Sequence, residues 1–106
     1  MKKLVNLTPH AVTLNDGTVF PPSGVIARVS NSYTEFDEDH IGQVVFGEIM
    51  NLPDPEEGTL YIVSGLMAAA AAKKGRTDLV SPATGHPATV RDDQGRIVSV
   101  PGLVRP

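Results

Sequence analysis

Cysteine and tryptophan are both missing, and two Tyr and three Phe are the only aromatic residues. Without cysteine there is no disulfide framework, no thiolate metal site and no thiol nucleophile. An excess of positive charge is also missing. Nine Lys and Arg stand against twelve Asp and Glu, for a formal net charge of −3. A chain of this kind lacks the basic footprint that binds a phosphate backbone, so no polymeric nucleic-acid partner is expected. Long apolar runs are absent too. The run through Ala68–Ala72 is short and weakly hydrophobic, far from the roughly 20 residues of a membrane span. "MKKLVNLTPH" meets Asn6, Thr8 and Pro9 before any hydrophobic region develops, so it does not read as a signal peptide.

Signals for chemistry are equally sparse. No G-x-S-x-G elbow and no phosphate-binding P-loop occur in the chain, which removes the nucleophile-elbow and lysine-cradle routes. His10, His40 and His86 are far apart and lack metal-ligand spacing. Neither a metal nor a cofactor is expected, and the protein is expected not to be an enzyme.

What is present fits one domain over residues 1–106, with an apolar fraction of 41% and a charged fraction of 20%. Val12 and Leu14 alternate with Ala11 and Thr13, and Asn15-Asp16-Gly17 then supplies hairpin-turn chemistry before Thr18-Val19-Phe20. Pro21 to Gly24 is a second turn, with a third extended segment at Val25–Val29, so the first 30 residues read as a meander. "NSYTEFDEDH" reads as a polar loop or exposed hairpin. A strand over Gly42–Leu52 follows, with Gly47 a candidate bulge. Thr59–Val63 is another strand, and "TVRDDQGRIVSV" is a last hairpin turning at Asp92–Gly95. The main helix is expected over Gly65–Lys74, capped by Ser64 and closed by Gly75. Together these predict an α+β domain: a small bent antiparallel sheet or partial barrel of about six strands with one main helix. A sheet this small leaves edges to protect, so a homo-oligomer is expected, and the small alanine face is compatible with a close partner.

The helix also frames the candidate site. Its first turn offers unpaired N–H groups next to Ser64 and Gly65, a combination that suits an anion, although the same residues serve as an ordinary cap and packing glycine. In "GRTDL", Arg76 can fork onto a phosphate while Asp78 orients it or reads a hydroxyl; a local ion pair is the plainer alternative. Arg28 and Arg91 lie on predicted strands that can line a groove. His10 is placed to stack on or hydrogen-bond a base if the meander folds over the helix start.

The fragments "LVNLTPHAVTL", "PPSGVIARVS", "LPDPEEGTLYIVSGLMAAAA", "GRTDLVSP" and "VRDDQGRIVSVPGLVR", taken in order, resemble a family of small uncharacterised proteins of phages and prophages. The resemblance implies a genomic setting rather than a mechanism: an accessory protein in the cytoplasm of the host cell. In that setting the expected function is non-catalytic binding of a small nucleotide-like ligand that sequesters a host immune signal, through Ser64, Gly65, Arg76, Asp78, Arg28, Arg91 and His10. The alternatives are an acidic protein-binding inhibitor or accessory factor acting through Glu35–Asp39, or a virion or assembly component.

Overall fold

A computed structural model describes residues 2–106. Among the described residues, ten strands and one helix succeed one another: β1 (Lys3–Asn6), β2 (Val12–Thr13), β3 (Val19–Phe20), β4 (Arg28–Tyr33), β5 (Val44–Met50), β6 (Thr59–Ile62), α1 (Gly65–Lys73), β7 (Leu79–Pro82), β8 (Val90–Arg91), β9 (Ile97–Ser99) and β10 (Leu103–Val104). The fold is α+β, and its several small sheets do not close on themselves.

The central sheet has the order β1-β6-β7-β10. Its first two pairings are parallel, Lys3 to Thr59 through Asn6 to Ile62, then Tyr61 to Leu79 and Ile62 to Val80. Only β10 runs antiparallel to β7. The antiparallel expectation thus holds for the hairpins β2–β3, β4–β5 and β8–β9, whereas the centre is built on a β6–α1–β7 crossover. β1 does not pair with β2, and it meets the early part of the chain at the isolated parallel bridge Asn6–Pro22. Its place beside β6 comes from a segment far along the sequence.

The sheet is buried on both faces, as a parallel centre requires. Successive residues of β6 point to opposite sides. Tyr61 packs with Leu7, Met67, Ala68, Ala71 and Leu79 under the helix, while Ile62 packs with Val12, Val80 and Val100 under the two smaller hairpins. The alanine face therefore lies against its own sheet: Ala68, Ala70 and Ala71 are buried within the chain.

The helix ends where the local signals place it. Ser64 is extended (φ −66°, ψ 157°), and its Oγ accepts from the Met67 N–H at 3.2 Å. At the other end Gly75 adopts φ +91°. The Arg76 N–H then reaches the Ala71 carbonyl and the Gly75 N–H the Ala72 carbonyl, the paired arrangement of a Schellman close.

Of the two expectations for residues 31–40, the exposed hairpin holds. β4 and β5 form a two-stranded arm, with a bulge where Gly47 and Glu48 oppose Ser30. A Cβ at Gly47 would overlap Ser30 Oγ, and that hydroxyl accepts from the Glu48 N–H at 3.2 Å.

Candidate ligand-binding cleft

The start of α1 opens into a cleft of about 470 Å³. It lies beyond the carboxyl ends of β1 and β6, the side on which parallel strands usually present ligand sites. The segment after β1 contributes Thr8 and His10, the β6–α1 junction Ser64 and Gly65, and the β8–β9 hairpin Ile97 to Val100. Apolar walls thus face a rim of hydroxyls and one imidazole.

Asn6 builds one side of this cleft. It is 2% exposed. Its Nδ2 donates to the carbonyls of His10 and Phe20, both at 2.8 Å, while Oδ1 accepts from the Thr8 N–H at 2.9 Å and from Thr8 Oγ1 at 2.7 Å. One buried amide therefore folds the segment Leu7–His10 back on itself and ties it to β3. The His10 imidazole is exposed and makes no hydrogen bond among the described residues, which leaves both ring nitrogens for a ligand.

The helix start offers donors of its own. Met67 N–H is taken by Ser64 Oγ and Ala68 N–H by the Ser64 carbonyl. The N–H groups of Gly65 and Leu66 have no acceptor among the described residues, as expected for the first turn of a helix. Ser64 Oγ accepts in the cap, so its own proton is available to donate. A Cβ at Gly65 would meet nothing within 4 Å, so this side of the cleft is open to the backbone.

No family model, curated protein or solved structure matches the chain.

The seven sequence-predicted residues separate into groups. Ser64, Gly65 and His10 share the cleft. Arg76 and Asp78 do not join them, because they follow the far end of a helix of nine residues, about 13 Å long at 1.5 Å per residue. There they bind each other: Arg76 Nε donates to Asp78 Oδ1 at 2.9 Å and Nη2 to Oδ2 at 2.8 Å, with a further bond from Nη2 to the Pro53 carbonyl at 2.9 Å. The guanidinium holds the Asp78 carboxyl below its usual range, against an opposing push from burial. Arg28 lines a separate groove beside Leu66. Arg91 is exposed and donates to the carbonyls of Gly95 and Thr84, bracing the hairpin that walls the cleft. Among the described residues, no guanidinium lines the cleft itself.

Sequence reasoning missed three parts of this site. Thr84 and the Ile97–Val100 wall join Thr8 only through the nonlocal sheet, and nothing in the neighbourhoods of those two marks them. Asn6 is different. An Asn two residues before a Thr in "NLTPH" is a local signal for side-chain-to-backbone bonding. Among the described residues, no group of three His, Asp or Glu side chains converges as a metal site, and no helix is long and apolar enough to cross a membrane.

Proposed function

We propose that this protein is a non-catalytic binder of a small nucleotide-like ligand, held in the cleft at the start of α1. The observation that carries this reading is the conjunction, in one cleft, of the free Gly65 N–H and the Ser64 hydroxyl with an apolar wall and the unengaged His10 ring. The first group suits an anionic end, and the second suits a flat, partly apolar base. Because no guanidinium lines the cleft, the fitting ligands carry few phosphate charges rather than a triphosphate. In the phage setting implied by the sequence resemblance, such binding would withdraw a host nucleotide signal.

A thermal-shift screen against linear and cyclic nucleotides, ADP-ribose derivatives included, tests the proposal. At about 100 times Kd, a ligand stabilises the fold by about 2.7 kcal/mol, a melting shift of several degrees for a domain of this size. Gly65→Phe is the matching variant. Gly65 lines the cleft and a Cβ there meets nothing within 4 Å, so the unliganded melting temperature should stay within a few degrees while the shift disappears. No shift with any nucleotide, from folded protein, overturns the assignment. A shift that survives Gly65→Phe moves the ligand out of this cleft.

The acidic-inhibitor reading draws on the arm tip, where Phe36 and Ile41 are exposed beside Glu35, Glu38 and Asp39. Under that reading, replacing the three carboxylates by their amides abolishes activity on the host, whereas under the nucleotide reading the same change leaves the nucleotide shifts intact.

A further inference from the structure

Among the described residues, β4 and β5 pair only with each other. An isolated two-stranded ribbon is marginal in water, and this one exposes Tyr33 (64%), Phe36 (67%), Ile41, Val44 and Val45. Its hydrogen bonds single out one edge. The Thr34 N–H donates to the Gln43 carbonyl at 2.9 Å. By antiparallel alternation Ser32 also faces β5, while Val29, Asn31 and Tyr33 turn their N–H and C=O groups away. Ala27 obeys the same alternation, and its N–H is taken by the Leu7 carbonyl at 3.0 Å. Beyond that point the β4 edge is open. The β5 edge is not equivalent, being interrupted by the Gly47 bulge and by Lys74 Nζ, which donates to the Gly47 carbonyl at 3.1 Å.

The two ends of the open edge differ in a complementary way. At its base is a groove of about 340 Å³ lined by Leu7, Pro9, Ile26, Arg28, Val29 and Leu66. At its tip, Asp37 Oδ1 accepts from the N–H groups of Asp39 (2.8 Å) and Ile41 (3.0 Å), and Asp37 N–H donates to the Ile41 carbonyl. This fixed turn displays Phe36 between Glu35 and Asp37. Of the charged residues over 28–50, the one cation, Arg28, lines the base groove, while four of the five carboxylates, Glu35, Asp37, Glu38 and Asp39, gather at the tip.

We propose that a second copy of this chain docks on the open β4 edge across a two-fold axis at Ser32, each copy's Phe36 entering the groove beside the other's Arg28. The register follows from the edge. Outward-facing Asn31 of one copy meets outward-facing Tyr33 of the other. Counting along antiparallel strands then sets Arg28 opposite Phe36, with Glu35 and Asp37 on either side of it. The contact is isologous, so it closes as a dimer. Tyr33 and Val44, cross-strand neighbours on one face, continue that face into the second copy, since diagonal neighbours lie within aromatic reach.

The absence of cysteine makes the test direct. In this register Ser32 meets its own symmetry mate in a non-hydrogen-bonded pair, with Cα atoms about 4.5 Å apart, inside the range a disulfide spans. Ser32→Cys should therefore oxidise to a linked dimer roughly tenfold or more faster than Asp93→Cys, a control in the β8–β9 turn, because pairing raises the local thiol concentration. Sedimentation velocity should give twice the monomer mass for the unmodified chain. Asn31→Pro, whose missing N–H points away from β5 and so leaves the arm's own ladder whole, should sediment as a monomer with unchanged circular dichroism. A monomeric unmodified chain overturns the proposal. So does a dimer in which Ser32→Cys links no faster than Asp93→Cys, or one that survives Asn31→Pro. None of these readouts involves a nucleotide, so this interface and the cleft stand or fall separately.

Discussion

Asn6 and the Arg76–Asp78 pair show how much two small polar groupings decide. All the hydrogen-bonding capacity of the Asn6 amide that the structure uses is directed at backbone or at Thr8, inside a site that water scarcely reaches. Asn6→Ala leaves the carbonyls of His10 and Phe20 without those donors, so it should cost about 2–4 kcal/mol in urea unfolding, from several lost bonds and the unpaired groups they leave. It should also loosen His10 and weaken any cleft ligand beyond the stability loss. Asp78 behaves differently because it titrates. Its carboxyl is held below the ordinary value of 3.8, chiefly by the Arg76 hydrogen bond. A lowered folded value means that the pair's stabilisation is fully present above 3.8 and is lost as pH falls through the lower folded value. Asp78→Asn should therefore melt below the unmodified protein at neutral pH, by about 1 kcal/mol after solvent screening. The two melting curves should converge in strong acid, as followed by circular dichroism across a pH series.

Among the elements, the arm is the one whose conformation hangs on a single missing methyl group. Gly47 lets β5 step past Ser30, and the Ser30 hydroxyl takes up the Glu48 N–H that the bulge releases. Gly47→Ala forces a Cβ onto that oxygen, an overpacking worth about 1–3 kcal/mol. Because β4–β5 shares no ladder with the central sheet, the damage should stay local. Hydrogen exchange should speed up for amides of residues 28–50 while those of β6 and β7 keep their protection; uniform loss across both would show that arm and body open as one unit. The helix is the contrasting element. Its cap, its closing glycine and its packing face all agree with one another, and its length differs from the sequence expectation by a single residue, Lys74.

At the scale of the whole molecule, what was legible in the sequence was whatever local chemistry encodes. Asn15-Asp16-Gly17 and Asp92–Gly95 turn where expected, Gly47 is a bulge, and Ser64 and Gly75 bound the helix. The order of the central sheet was not legible, because strand neighbours far apart in sequence leave no mark on either segment. The candidate site divided along the same line. Ser64, Gly65 and His10 come together because the parallel strands carry their ends to one side. Arg76 and Asp78 look like ligand-binding residues in sequence but satisfy each other in space. The same pairing of β1 with β6 bears on the order in which the chain is made. β1 is synthesised first, yet its ladder partner, Thr59–Ile62, emerges only after both early hairpins, and β10 near the end of the chain is the last strand to join the sheet. Closing so long a loop carries an entropy cost that local contacts do not offset in advance. During translation, then, β1 waits for its partner while the two hairpins made after it can already pair.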